Sequence, residues 1–172
     1  MTLLQFQLKR DQAGNLIKVT NYRGYTVIQD PKFDMEAALA NFEDGSCCII
    51  IGDSFEKCSA DIQEFILLHE IGHSECQHKS STMGAGYSSQ QVMDIYTEER
   101  LAGKHLQSEF EADEYAAIVM GREVALKALE YFHQKYQFMQ RSYKNHSNTN
   151  QIEFVLNELE KRIANIKSNF EN

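Results

Sequence analysis

The stretch LLHEIGHSECQH, residues 67–78, places two histidines four positions apart and a glutamate directly after the first. On a helix of 3.6 residues per turn, residues four apart lie one above the other, so His69 and His73 would aim their imidazoles at one point. A tetrahedral Zn²⁺ ion needs two ligands placed in this way. Glu70 would lie about 100° further around the helix, where its carboxylate can act as a general base without being a ligand. The spacing therefore predicts half of a zinc site.

The segment around this motif predicts a buried active-site helix over residues 59–78. Ile62, Phe65 and Ile66 share one stripe with His69, and other apolar residues cover much of the remaining surface. A helix that is apolar nearly all round is typical of a protein core. Polar side chains on such a helix are costly unless they have partners. The alternative is a chance pattern on a core helix, with histidines satisfied by ordinary hydrogen bonds.

A third zinc ligand is predicted in the segment SEFEADEYAA, residues 108–117. Glu109 and Asp113 are four apart and share a helical face, whereas Glu111 is rotated by about 200° from Glu109 and should face elsewhere. The alanines beside them would let another helix approach closely. We predict Glu109 as the third ligand and Asp113 as the acceptor for the N–H of a ligand histidine. The alternative is a solvated acidic helix face.

HEIGHSECQH followed by EFEADEYAA resembles the gluzincin metallopeptidases, particularly the HtpX and CAAX-prenyl-protease-like family and its soluble minimal relatives. The resemblance is specific over about residues 47–120. It implies a zincin-like α+β fold with one Zn²⁺ per chain, held by His69, His73 and Glu109. It also implies that Glu70 is the catalytic base and Asp113 the supporting acid. In that family a strand like CCIII lines the substrate cleft and pairs with an extended peptide.

Three other classes are weighed against this one. The ImmA/IrrE proteases, which act on repressors, share H-E-x-G-H and a downstream glutamate, but their usual Leu-hydrophobe-Pro is absent here. The metzincins are excluded, because Cys76 and Lys79 stand where that class has a glycine and its third histidine. A catalytically silent zinc-binding module would not need Glu70. His78 is expected to be a helix-end or supporting residue rather than a ligand.

The bulk composition limits the classes of partner. The formal net charge of −8 argues against nucleic acid as the main partner, since phosphate binding needs a basic face. No stretch approaches the roughly 20 apolar residues that cross a bilayer, unlike HtpX-type members, and no secretory signal is recognisable. We therefore expect a cytoplasmic protein that acts on a peptide or protein substrate, with its four cysteines as free thiols.

The pattern of elements predicts one α+β domain over residues 1–172, with a small antiparallel or mixed sheet on a helical core. Residues 1–55 are expected to be mainly β, except for a weak helical pattern over 34–42. The apolar run 47–51 favours a buried or an edge strand, and the family resemblance implies that it is the substrate-edge strand. Residues 79–96 predict a mobile loop that can lie over a cleft. Residues 97–172 are expected to be mostly helical, with a break near Gly121.

The expected chemistry is hydrolysis of a peptide bond. Zn²⁺ would polarise the carbonyl and acidify a water molecule, and Glu70 would take the proton. A donor must also stabilise the tetrahedral oxyanion, and the sequence does not choose among Tyr87, Tyr143, His146 and Arg162. Family members often have His-Pro before the closing helix, but Ser follows His146 here.

Overall fold

The computed structural model describes residues 4–42, 44–78, 103–142 and 149–169. Within them the strands come first: β1 (Gln7–Arg10), β2 (Leu16–Tyr22), β3 (Tyr25–Gln29), β4 (Ala37–Asn41) and β5 (Cys47–Ile51). The helices follow: α1 (Asp53–Glu56), α2 (Ala60–Glu75), α3 (Lys104–Met120), α4 (Arg122–Ser142) and α5 (Thr149–Asn169). The predicted α+β class, with a small mixed sheet and helices, is confirmed.

The strands form one sheet in the order β1-β2-β3-β5-β4. Neighbouring strands are antiparallel except for β3 and β5, which are parallel. The hairpin between β2 and β3 turns at Arg23 and Gly24, both with positive φ, which suits the tight connection of a two-residue loop.

The helical pattern predicted over residues 34–42 is wrong, because this segment contains strand β4. Ala37, Leu39 and Ala40 are buried, and the strand pairs with β5 along its whole length. A helix of nine residues is marginal by itself. Pairing with the apolar strand β5 satisfies the backbone and buries these side chains, so tertiary contacts override the helix propensity of alanine.

Residues 47–51 were expected to form a buried or an edge strand; the buried strand is confirmed, and the substrate-edge position is wrong. Strand β5 pairs with β3 on one side and with β4 on the other, so it is internal to the sheet. A five-residue apolar run suits an internal strand, which is covered by neighbours on both sides. The edge strand nearest α2 is instead β4.

One row of the sheet forms the floor on which α2 packs. Val27, Leu39 and Ile49 are paired in register across β3, β4 and β5, and all three are fully buried. Helix α2 begins after the N-cap residue Ser59 and buries Phe65 and Leu68 in the same core. The sheet therefore fixes the helix that carries His69 and His73.

Helices α2 and α3 cross at a point where the chain has no side chain. A Cβ atom added at Gly72 would lie 2.9 Å from Cα of Ala112, 3.0 Å from its carbonyl oxygen and 3.1 Å from Cβ of Tyr115. Two of these contacts are with backbone atoms, which cannot rotate away. Gly72 and the small Ala112 thus set the distance between the helix that carries the histidines and the helix that carries Glu109.

Replacing Gly72 with alanine is expected to destabilise the protein, although alanine favours a helix over glycine by about 1 kcal/mol. Overpacking against backbone typically costs about 1–3 kcal/mol, so we expect a net loss on the order of 1 kcal/mol in the free energy of unfolding. Urea unfolding of the metal-free protein measures it. Glu75→Ala, at the exposed end of the same helix, is the control. A Gly72→Ala protein as stable as this control would contradict the close-contact argument.

The break predicted near Gly121 is confirmed. Helix α3 ends before Gly121, which has a φ of 94°, and α4 starts at the next residue. All four cysteines are free, as predicted. In the described part of the chain, no helix has the length and apolar character that crossing a bilayer requires. The loop predicted over residues 79–96 lies outside the described residues.

Candidate metal centre

The donor atoms of His69, His73 and Glu109 converge on one point. The Nε2 atoms of the two histidines are 3.1 Å apart, and each lies 3.4 Å from a carboxylate oxygen of Glu109. All three residues are buried. Bonds of about 2.0–2.1 Å to a tetrahedral Zn²⁺ would separate ligand atoms by about 3.3–3.4 Å. The nature of the donors and their spacing therefore fit a zinc ion, and the structure brings together the three ligands predicted from the sequence.

Asp113 lies directly behind His69. Its Oδ1 atom is 2.8 Å from Nδ1 of His69, and its side chain is fully buried. A carboxylate at this distance accepts the Nδ1–H proton and leaves the lone pair of Nε2 facing the convergence point. The residue thus occupies the position that the sequence predicted for a supporting acid.

Arg162, from α5, joins the two acidic residues of α3. Its Nε donates to Oδ2 of Asp113 at 2.7 Å, its Nη2 to Oδ1 at 2.8 Å, and its Nη1 contacts Oε2 of Glu109 at 2.9 Å. The guanidinium is 13 % exposed. Because all three nitrogens already contact carboxylates, the geometry favours a role in holding Glu109 and Asp113 over the stabilisation of an oxyanion, for which Arg162 was one of four candidates.

The charges around His69 favour a cation there. Burial by itself raises the pKa of Glu109 and Asp113, but Arg162 and His69 outweigh it, so the pKa of each carboxyl lies below its ordinary value. Burial alone lowers the pKa of His69, but the two carboxylates raise it to about 10. One guanidinium neutralises only one of two carboxylates. The remaining negative charge favours a second cation beside this imidazole, either its own proton or a metal ion.

His73 is supported by a different chain of groups. Its Nδ1 lies 2.9 Å from Nδ1 of His78, and Nε2 of His78 lies 2.7 Å from Oε2 of Glu111. The His78 side chain is buried at 8 % exposure. The sequence predicted His78 as a supporting residue and Glu111 as facing away from the convergence point, and both descriptions agree with the contacts. The link between the two was not foreseen, because His78 lies beyond the end of α2.

Glu70 directly follows His69 in α2, and its side chain contacts the sheet. Its Oε2 accepts a hydrogen bond of 2.8 Å from the backbone N–H of Leu39 in β4. This contact orients the carboxylate and leaves Oε1 as the atom available to accept a proton. It also places the edge strand next to the predicted general base, a contact that the sequence did not indicate because residues 34–42 read as a helix.

The other three candidate oxyanion donors, Tyr87, Tyr143 and His146, lie outside the described residues, so the choice among the candidates stays open.

In comparisons with known proteins, no family model, no curated protein and no solved structure matches this chain.

Proposed function

We propose that this chain is a zinc-dependent endopeptidase with a zincin-like fold of the gluzincin type. The observation that carries the proposal is the convergence of two Nε2 atoms and one carboxylate from two helices, with mutual distances of 3.1 and 3.4 Å. A site of three protein ligands that leaves the fourth position open is typical of catalytic rather than structural zinc.

The residues that would hold the ion are His69, His73 and Glu109, and Asp113 would fix the tautomer of His69. Zn²⁺ bound there supplies Lewis acidity, which polarises a peptide carbonyl and lowers the pKa of water. Asp113 and Arg162 keep the ligands in place, since the guanidinium bridges Asp113 and Glu109.

Glu70 would act as the general base. Its Oε1 would take a proton from the attacking water and later give it to the leaving amine. The bond from the Leu39 N–H to Oε2 holds the carboxylate during both transfers. A silent zinc-binding module would have no use for a carboxylate held in this way beside three converging ligands.

The substrate would be an extended peptide or an unfolded protein segment that adds to the edge of β4. The carbonyl oxygen of Glu36 accepts a hydrogen bond from Gly52, and the N–H of Phe42 donates one to Ser46. In an antiparallel pair every second residue bonds to the partner strand, so alternate residues of β4 turn their backbone groups towards β5. The backbone N–H and C=O groups of Ala37 and Leu39 then point away from β5. The N–H of Leu39 is the one that donates to Glu70. Pairing with such an edge is a common way to bind extended peptides.

Metal content and peptide cleavage, measured together, test this proposal. The purified chain, loaded with Zn²⁺ and freed of excess metal, is expected to hold one ion per chain and to cut members of a peptide library, as detected by mass spectrometry. Removal of the metal with a chelator should abolish cleavage, and adding back Zn²⁺ should restore it. Zinc content well below one ion per chain, or a loaded protein that cuts no peptide, would refute the proposal.

A further inference from the structure

A second group of metal-binding side chains lies next to the candidate centre. The ligand atoms of Cys76, His78 and Glu111 all lie within 4.8 Å of one another. Cys76 follows the end of α2 and is exposed, and Glu111 is 41 % exposed at its side chain. A thiolate, an imidazole and a carboxylate are all ligands of Zn²⁺. Nothing in the proposed peptide hydrolysis uses Cys76.

The electrostatic surroundings of this group also favour a cation. Burial and the nearby charges of Glu75 and Glu111 raise the pKa of the Cys76 thiol. Negative charges that oppose a thiolate attract a divalent ion, which offsets them and favours the thiolate. We propose that Cys76, His78 and Glu111 form a second, regulatory divalent-cation site, and that its occupation opposes metal binding by His69, His73 and Glu109. This inference rests on the first centre of the proposed function.

Metal binding at one site opposes metal binding at the other because the two sites are joined by the hydrogen bond between His73 and His78. A neutral imidazole has one N–H and one lone pair. The Nδ1 atoms of His73 and His78 lie 2.9 Å apart, so when both rings are neutral and hydrogen-bonded, one Nδ1 carries the proton and the other accepts it. When Nε2 of His73 is a metal ligand, its proton is on Nδ1 and is donated to His78. His78 then carries its own proton on Nε2 and donates it to Glu111, 2.7 Å away.

Nδ1 of His78 faces His73 and Nε2 faces Glu111, so a metal ion held together with Glu111 needs that same Nε2 atom. The proton of His78 must then move to Nδ1 and be donated to Nδ1 of His73. This reverses the bond between the rings and places the proton of His73 on Nε2, which can no longer bind a metal. Both sites fill together only if the bond between His73 and His78 is broken. Each ion therefore weakens the binding of the other, and by linkage the two effects are equal.

A functional consequence follows for excess metal. The first equivalent of Zn²⁺ fills the site with three converging buried ligands and activates the protein. Further Zn²⁺ at the partly exposed second site draws His78 away from its supporting role. Excess Zn²⁺ is therefore expected to inhibit peptide cleavage, and the inhibition should depend on Cys76.

Titration of the metal-free protein with Co²⁺ alone tests the second site without an activity assay. A cobalt–thiolate bond gives a charge-transfer absorption in the near ultraviolet, whereas imidazole and carboxylate ligands do not. The first equivalent should give only visible bands, from the site of His69, His73 and Glu109. The charge-transfer band should appear with later equivalents, be absent from Cys76→Ser and be retained in the matched control Cys47→Ser.

The coupling is tested with His69→Ala, which disables the first site but keeps His73, His78 and Cys76. The affinity measured from the charge-transfer band should increase by about tenfold or more, within the usual range of coupling between sites. An unchanged or lower affinity in a variant with native circular dichroism would overturn the coupling. A second experiment does not need the His69→Ala variant. Inhibition by excess Zn²⁺ should be weaker in Cys76→Ser than in Cys47→Ser. Equal inhibition of these two variants would also overturn the coupling.

Failure of the second site and failure of the first give different results. No charge-transfer band in the wild type, or a band that persists in Cys76→Ser, would refute the second site. Absence of the visible bands at one equivalent would refute the first centre, and with it the opposition between the two ions.

Discussion

Glu70→Gln is expected to lower the rate of peptide cleavage by about 10²–10⁴-fold while the protein still binds one zinc ion per chain. Glutamine has almost the same shape as glutamate and can still accept the hydrogen bond from the N–H of Leu39. It cannot take a proton from water at neutral pH. The substitution therefore removes the base and leaves the three converging ligands in place.

The matched control for this variant is Glu64→Gln. Glu64 is on the same helix and accepts a hydrogen bond from the hydroxyl of Tyr22 in β2 rather than from β4. Cleavage rates and zinc content are measured for both variants under identical metal loading. If Glu70→Gln cleaved as fast as Glu64→Gln, the assignment of the base would be wrong. If it lost zinc as well as activity, Glu70 would be a ligand.

Arg162→Met is expected to lower the free energy of unfolding of the metal-free protein by about 3–5 kcal/mol. The guanidinium lies within 2.9 Å of both Asp113 and Glu109, and all three side chains are largely buried. Methionine keeps most of the apolar stem but leaves two buried carboxylates with His69 as their remaining cation. Removal of one member of a buried charge network costs more than the network itself contributes, because the other charges stay desolvated.

Urea unfolding with and without Zn²⁺ measures this effect. The neighbouring Lys161→Met is the control, since Lys161 is exposed and on the same helix. Added Zn²⁺ should recover part of the stability of Arg162→Met through binding to the folded state. The recovery should be incomplete, because Glu109 gains a positive partner and Asp113 does not. A loss no larger than that of Lys161→Met would show that the guanidinium is not holding these carboxylates.

The sequence predicted the ligand set because helical spacing converts directly into geometry. His69 and His73 must share a face of α2, and Glu109 and Asp113 must share a face of α3. The remaining question was whether these faces meet. Alanines in α3 suggested a close approach, and Gly72 in α2 completes it. Helical spacing therefore predicts each pair of side chains, whereas the contact between the two helices depends on small residues where they cross.

The contacts of Arg162 and His78 were beyond the reach of sequence patterns. Arg162 meets α3 across 49 residues of sequence, and Glu111 meets His78 across 33. No local periodicity encodes such pairs, since they depend on how whole helices pack. The sheet edge was misplaced for a related reason. An apolar run such as 47–51 predicts a strand, but its neighbours are set by pairing with β3 and β4.

The hydrogen bond between Leu39 and Glu70 has a consequence for selectivity. A peptide held along β4 would show its side chains alternately towards the helices and towards water, because successive residues of a strand point in opposite directions. With the base anchored to one residue of that strand, the position of the cut would be fixed relative to this alternation. Amino-acid preferences among cleaved sequences would then recur at every second residue, with little discrimination in between.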